Sequence, residues 1–411
     1  RYADRVTAQP RTGETAGRST RQGDSMRALI LEDGYSRQAL TASRALAAAG
    51  WTVGVGAHRA RGVAACSRAT TYDHRVPAPE RDLDRFVEGV NEAISEVGYD
   101  LVFGARDVEV LALSARRSEI HATVPHPPHA NVLRALDKLE LDAAAQDAGV
   151  ATPATVPGTA EALAGTTYPV VVKARLHATL DGIARPARIE TLWAMTQLEA
   201  TERADAIRAV GGEPLLQEAV AGPLLELALV VDRDGEVVAC VQQVVARTST
   251  RAGGVGVRAT TVMPDEGLLQ RVRTLFAELG WWGLAELQFI VSPEGDPHLI
   301  DFNGRFYGSM ALAVGAGVNL PAIWASVATG RPTAGTASAE TGVRFQWLAG
   351  DVRRCFAEEG AERLRTLRQT RRWSVGAIQS VLAVRDPLPA IRHATLDARS
   401  FIEKRVGTGR D

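Results

Sequence analysis

Between residues 26 and 104 the chain keeps one rhythm. RALILE is followed by SRQALTASRALAAAG, then WTVGVGA, and after a further helical stretch, DLDRFVEGVNEAISEVG, comes DLVFGA. Short apolar runs separated by helix-length segments read as β-α-β units, because parallel strands need a crossover that carries the chain back to the same end of the sheet. The first unit is therefore expected to be a Rossmann-like parallel sheet. Gly54 and Gly56 stand at a strand, but no stretch completes GxGxxG, so they read as strand glycines and not as a dinucleotide site.

The texture changes at residues 137 to 157, DKLELDAAAQDAGVATPATVP, an alanine-rich helix ending at Gly149 and a proline-punctuated strand. TYPVVVKA follows as a buried strand ending in a single lysine, then a helix expected to carry Trp193, then EPLLQEAVAG. LELALVVDRDGEVVACVQQVVA reads as a hairpin turning at Asp234-Gly235, and GLAELQFIVSPEGDPHLIDFN as another turning near Glu294-Gly295. SMALAVGAGVNLPAIWASVATG is expected as one apolar helix. Antiparallel hairpins make this second region α+β, unlike the first. Beyond residue 335 the chain reads as basic and amphipathic helices, the last with Leu388, Ile391, Thr395, Ala398 and Ile402 on one face. The expected organisation is a disordered leader at 1–25, a Rossmann-like domain at 26–129, an α+β domain at 130–335 and a C-terminal region at 336–411.

Composition excludes several classes. The 411 residues carry a net charge of −1, which gives no electrostatic reason for a nucleic-acid partner. The leader lacks an apolar stretch for a signal peptide or membrane span. Cys66, Cys240 and Cys355 form no CxxC pair, so neither disulfides nor zinc are expected and the chain reads as cytoplasmic. Of 47 basic residues only Lys138, Lys173 and Lys404 are lysine. A retained lysine in so arginine-rich a chain marks a place for a compact point charge. No lysine follows a glycine, which removes the Walker A loop, and HExxH, GxSxG and kinase signatures are absent.

The stretch HLIDFNGRFYGSM places Asp301, Asn303 and Arg305 at alternate positions after an apolar strand, so the three are expected on one face. Glu286 and Gln288 share a face of the preceding strand. Paired as a hairpin, these side chains gather hard oxygen donors suited to Mg²⁺, with an arginine beside them suited to phosphate or carboxylate. The alternative is a solvated hairpin face. At the strand ends of the first region, Asp33, Arg106, Asp107 and Glu109 read as caps and salt bridges before they read as substrate contacts.

In order along the chain, DK at 137–138, AGVATPAT at 148–155, YPVVVKA at 168–174, LLQEAVAG at 215–222, ELQFIV at 286–291, LIDFNGRFYGS at 299–309 and GAGVNLP at 315–321 resemble the ATP-grasp superfamily. More narrowly they are similar to its carboxylate–amine ligase type, in which a Rossmann-like pre-ATP-grasp domain precedes a two-subdomain ATP-grasp fold. A small C-terminal helical region would follow. The resemblance implies that Lys138 and Lys173 bind ATP phosphates and that the backbone of Gln217, Glu218, Ala219 and Val220 pairs with adenine. It further implies that Glu226 accepts from ribose hydroxyls. Mg²⁺ or Mn²⁺ would be held by Asp301 and Asn303 with Glu286 or Gln288, and Arg305 would stabilise the transferred phosphoryl group.

Three departures from the family pattern stand out. Asp301-Phe302-Asn303-Gly304-Arg305 replaces the usual Glu-x-Asn-Pro-Arg. The stretch after Lys173, RLHATLDGIARPAR, has one glycine where a glycine-rich lid is usual, so Arg175, His177, Arg185 or Arg188 would cover the phosphates. A later glycine-rich loop, TRAGGVGVRATT, offers Gly253, Gly254 and Gly256 for close backbone approach, with Arg251 and Arg258 to attract a carboxylate. The implied activity joins a small-molecule carboxylate to an amine through an acyl phosphate, releasing ADP and phosphate. Nucleic acid and membrane are not expected partners, and a homodimer is compatible with this reading. The alternatives are another ATP-grasp chemistry, phosphotransferase or carboxylase, and a non-catalytic nucleotide-binding protein.

Overall fold

The computed structural model describes residues 25–59, 61–178, 192–250, 253–333 and 335–407. The expected leader to residue 24, together with Arg185, Arg188 and Arg251, lies outside the described residues.

Strands β1 (Arg27–Glu32), β2 (Thr52–Ala57), β3 (Tyr72–Arg75) and β4 (Leu101–Gly104) form a parallel sheet in the order β3-β2-β1-β4. The helices that return the chain are amphipathic and capped where the sequence suggests. Ser36 accepts from Ala39 N and Asp82 from Arg85 N, and Gly98 closes the second helix with φ 79°, a left-handed conformation that costs a glycine nothing. This is the Rossmann-like unit the β-α-β rhythm predicts.

A second sheet has the order β5-β8-β6-β7, built from β5 (Thr155–Pro157), β6 (Val170–Ala174), β7 (Leu192–Ala194) and β8 (Pro214–Glu218). Trp193 is not helical: it pairs with Val171 in β7, and the helix starts only at Gln197 behind its Thr196 cap. An aromatic side chain flanked by leucine and alanine fits a sheet edge better than the polar helix beyond it.

The third sheet is the largest. Its order is β13-β12-β9-β10-β11-β15-β16, with β14 (Ala337–Ser338) pairing β10. The members are β9 (Leu224–Val231), β10 (Val237–Thr250), β11 (Gly253–Val262), β12 (Gly283–Val291), β13 (Pro297–Asn303), β15 (Arg344–Gln346) and β16 (Ile378–Gln379). Both hairpins turn where expected, with Gly235 at φ 86° and Gly295 at φ 96°. Among its described residues the glycine-rich stretch is strand and not loop. From Gly253 it is strand, paired with β10 through an irregular register, and Arg258 is buried with its Nε on Asp351 and Nη2 on Thr370. A guanidinium committed to a buried carboxylate is not free to attract a substrate.

The single apolar helix expected at 309–330 is two, Met310–Gly315 and Leu320–Ala328, broken where Gly317 takes φ 93° and Asn319 caps the second. Its tryptophan ties the layers together: Trp324, Phe103 of β4 and Phe306 pack edge-to-face or tilted, with ring centroids about 5 Å apart. That aromatic knot fixes the chain just after β13 against the first sheet. The C-terminal region is mainly helical and adds the short strands β14 to β16. In its last helix Leu388 and Ile391 are exposed while His393 and Leu396 are buried, so the apolar face read from the sequence is turned outward. Among the described residues no helix is long and apolar enough to cross a membrane.

Candidate nucleotide and metal site

The register of β12 with β13 sets Glu286 opposite Asn303 and Gln288 opposite Asp301, and that of β12 with β9 sets Gln288 opposite Glu226. Because side chains alternate along each strand, Glu226, Glu286, Gln288, Asp301 and Asn303 fall on one face. Asn303 Nδ2 donates to Glu286 Oε2 at 2.7 Å, and Gln288 Nε2 lies 3.3 Å from both Glu286 Oε1 and Glu226 Oε1. β13 ends at Asn303, so Arg305 is not a strand residue, yet its Nη2 still reaches Asn303 Oδ1 at 2.7 Å.

Two buried acids this close, Glu226 and Glu286, resist ionising together. Burial and the neighbouring Glu226 push Glu286 well above the ordinary carboxylate range, and burial pushes Glu226 up to about 7 against its hydrogen bonds from Ser309 and Gln243. Among the described residues no three His, Cys, Asp or Glu side chains form a metal cage of their own. The donor set is two carboxylates, Glu286 and Asp301, and amide oxygens at Asn303 and Gln288. Such a set suits Mg²⁺, which keeps waters and takes remaining ligands from phosphates, and the excess buried negative charge is what a divalent cation would relieve.

Positive charge arrives from another element pair. Lys138 opens the helix Lys138–Asp147, whose cap Asp137 accepts from Leu139 N and Glu140 N, and its Nζ lies 3.3 Å from Asp301 Oδ1. Lys173 reaches across from β6, where its Nζ donates to Ile300 O at 3.2 Å. Burial, helped by the Lys138 charge, lowers Lys173 to about 7. Burial would raise Asp301, but Lys138, His177 and Lys173 outweigh it and hold the carboxyl below its usual range. Lys138 thus pairs with Asp301, while Lys173 sits on the carbonyl of the preceding residue and acts on the carboxylate through its charge.

Arg305 is held by a residue from the first sheet's side of the molecule. Asp107, first in the helix Asp107–Ala115, accepts Arg305 Nε at 2.6 Å and Nη2 at 3.2 Å, and His177 Nδ1 stands 3.8 Å from the same carboxylate. Despite burial, Arg305 and His177 keep Asp107 ionised. Asp107, Lys138, His177 and Asp301 line one recess of about 230 Å³. Of the four residues named to cover phosphates, His177 is in this recess, whereas Arg175 is paired with Asp137 and Glu213.

The segment expected at adenine leaves β8 and crosses toward the large sheet. Gln217 Nε2 donates to Thr155 Oγ1 at 2.9 Å, Glu218 N to Ala154 O, and Val220 N to Glu218 O. Ala219 lies between. Gly222 follows, where a β-carbon would fall 1.8 Å from Val291 O, so the crossing over β12 requires glycine. Glu226, named for ribose in the sequence reading, stands in the carboxylate group of the large sheet.

Gln243 and Ser309, which the sequence reading passed over, both bind Glu226: Gln243 Nε2 donates to its Oε2 and Ser309 Oγ lies 3.1 Å from the same oxygen. Gln242-Gln243 inside the apolar run VVACVQQVVA carried the signal, the same polar interruption that marks 301 to 305. Gly304 also finds its reason here. A β-carbon there would lie 2.2 Å from the Trp281 ring. Gly304→Val is expected to lower stability by about 1–3 kcal/mol, read from the urea midpoint at unchanged slope.

Known proteins share parts of this sequence and this fold. The family model described as ATP-grasp in the biosynthetic pathway with Ter operon matches residues 215–350. No match is found among curated proteins. Among solved structures, the biotin carboxylase domain of 2-oxoglutarate carboxylase from Hydrogenobacter thermophilus, bound to MgADP, ADP and bicarbonate, is 16% identical, with a TM-score of 0.60 over 77% of this chain and 73% of that one. N5-carboxyaminoimidazole synthetase from Staphylococcus aureus is 11% identical, with a TM-score of 0.60 over 79% and 82%. L-amino acid ligase from Bacillus licheniformis is 15% identical, with a TM-score of 0.56 over 74% and 74%. Their fold is this fold, a Rossmann-like domain ahead of an ATP-grasp domain. Residues 215–350 thus match an ATP-grasp family model, and the chain as a whole shares the fold of these structures.

Proposed function

We propose that the chain is an ATP-dependent ligase that joins a small carboxylate to an amine. The observation that carries this reading is the pairing of Lys138 with Asp301, with Lys173 on the neighbouring Ile300 carbonyl, on the face that also holds Glu286 and Asn303. Point cations beside hard oxygen donors are what a nucleoside triphosphate with a divalent cation needs.

In this reading the backbone at Gln217 to Val220 receives adenine, and Lys138 and Lys173 draw the phosphates into the recess. Glu286, Asp301 and Asn303 would hold Mg²⁺ or Mn²⁺, which when bound supplies Lewis-acid charge neutralisation. A carboxylate oxygen of the substrate attacks the γ-phosphorus of ATP; the new P–O bond forms as the bond to the β-phosphate oxygen breaks, and ADP leaves. The amine nitrogen then attacks the acyl carbon, the C–O bond to phosphate breaks, and the amine's proton passes to solvent. Arg305, aimed by Asp107, bears the charge on the phosphoryl oxygens and the tetrahedral oxyanion.

ADP release measured with acids and amines, singly and together, tests the reading. Release that needs both supports it. Release with bicarbonate alone indicates a carboxylase, a stable phosphorylated product from one substrate indicates a phosphotransferase, and failure to bind ATP rejects the site.

Of Glu286 and Gln288, Glu286 is the metal ligand in this reading, because Gln288 turns its amide toward two carboxylates. Glu286→Gln is expected to raise the Mg²⁺ concentration for half-maximal turnover about tenfold or more, and Gln288→Ala by much less. The reverse order in a magnesium titration would give Gln288 the ligand role.

A further inference from the structure

Against the Asn303-Gly304-Arg305 turn lies a buried histidine that the ligase reading does not use. His126 belongs to the stretch leading from the first sheet to the helix His129–Leu136, and it is 1% exposed. The main chain around it is clamped. Arg117 Nη2 donates to His126 O at 2.7 Å and to Pro127 O at 2.8 Å, and Trp324 Nε1 donates to Pro125 O at 2.9 Å. The His126 ring meets Trp324 and Trp281 edge-on, with centroids 5.1 and 6.5 Å away. Trp281 is the ring that leaves no space for a β-carbon at residue 304. His126 and Gly304 therefore pack against the same tryptophan.

A buried imidazole normally finds a partner, because an unpaired polar group in the interior never recovers the cost of leaving water. This one has none among the described residues: neither Nδ1 nor Nε2 closes a hydrogen bond. Burial, with the Arg117 charge behind it, lowers its pKa to about 3, so the ring is neutral and carries one N–H. The Gly304 main chain acts the other way and favours the protonated ring, as an acceptor close by would. The turn itself is tight. Arg305 N donates to Asn303 O at 2.9 Å, and Arg305 Nη2 reaches Asn303 Oδ1 at 2.7 Å. The tilt of the Gly304 peptide between them therefore bears on both side chains.

We propose that His126 is a positioning residue for this turn: its imidazole N–H donates to the Gly304 carbonyl when nucleotide and divalent cation are bound. In the free chain the pair stands short of that bond. A bond made only in the bound state favours that state, because the free chain alone bears the cost of the unpaired N–H. The gain goes to the cation. Asn303, assigned to the metal, adjoins Gly304, whereas the segment assigned to adenine, Gln217 to Val220, leaves the end of β8 on another sheet. Asp107 grips Arg305 and His126 meets the turn, so both supports of the motif come from the chain ahead of residue 130. The inference rests on the nucleotide and metal site of the ligase reading, and on no acid or amine.

Calorimetric titration of the full chain with ADP, with and without magnesium chloride, tests this, and urea unfolding is measured alongside. His126→Phe keeps an aromatic ring and removes both nitrogens. In it MgADP affinity is expected to fall about tenfold, ADP affinity without magnesium to stay within about twofold, and the urea midpoint to stay at or above that of the wild type. A residue that only fills space would lower the midpoint and weaken both titrations alike. Should the phenylalanine variant fail to fold, His126→Leu, smaller and equally apolar, carries the same expectation. Equal MgADP affinity in a folded variant and the wild type, or a loss shared equally by the magnesium-free titration, overturns the proposal. A wild type that binds MgADP yet joins no acid to an amine ends the ligase reading and leaves this inference to the variant; a wild type that binds no MgADP ends both.

Discussion

Lys173→Met is expected to lower ATP turnover by about 10²- to 10³-fold, the loss of roughly 2–4 kcal/mol that follows removal of one charge-assisted contact to a transferring phosphate. The side chain is 5% exposed at the end of β6, and with Lys138 and His177 it holds the Asp301 carboxyl below its usual range. Arginine would not substitute, since the fork needs more room than the buried ammonium. The free protein carries a second signature of the same residue. With a folded-state value of about 7 against 10.5 for an ordinary lysine, the unfolded chain binds the extra proton between these limits, so this residue's contribution makes stability rise with pH across the window. Below pH 7 the burial penalty is borne in full. The variant should therefore be at least as stable as the wild type near pH 6, and the difference should shrink as pH rises toward 10.5. Urea unfolding at several pH values measures this; a variant that keeps near-normal ADP release removes Lys173 from the site.

Asp301→Asn should cost a similar about 10²- to 10³-fold in turnover, by a different route. The substitution keeps the shape and removes the charge that Lys138 and Lys173 share. Lys138 then loses its partner at 3.3 Å, and Lys173 loses an interaction that now holds its proton. Metal binding loses one of two carboxylates. The expected kinetic pattern is a fall in kcat together with a raised magnesium requirement, whereas a residue acting only through packing would lower stability and leave the magnesium dependence unchanged. Steady-state ADP release across a magnesium series, with an unfolding curve to show the variant is folded, gives both readouts. Turnover within a few-fold of wild type would displace Asp301 from the centre of the site.

Much of this was legible in the chain because local rules suffice for it. The β-α-β rhythm depends only on the length of apolar runs and on the helices between them, and both hairpin turns were marked by Asp-Gly and Glu-Gly. Trp193 was misplaced because a three-residue edge strand carries too little periodicity to outweigh the helical segment beside it. The glycines at 253 to 256 suggested a loop, since their pairing with the preceding strand β10 is irregular in register and carries no clean alternation. The helix at 309–330 was read as continuous because its composition is uniformly apolar; Asn319 as a cap becomes visible only when the break is seen.

The candidate site divides the same way. That Asp301, Asn303, Glu286 and Gln288 share a face follows from the period of a strand and the position of a turn, which the amino-acid order alone supplies. That Lys138 and Lys173 matter follows from their rarity among the basic residues. What they touch does not. The ion pair of Lys138 with Asp301 spans 163 residues and that of Asp107 with Arg305 spans 198, and both depend on how separate sheets pack. Glu226 joins the acid group because β9 lies next to β12, a neighbour relation no periodicity encodes. The sequence by itself determined which side chains each strand presents, because alternation is a local property of the backbone. Only the tertiary structure decided which of those faces meet, because sheet order and burial set the distances and the desolvation that turn ordinary lysines and carboxylates into a site.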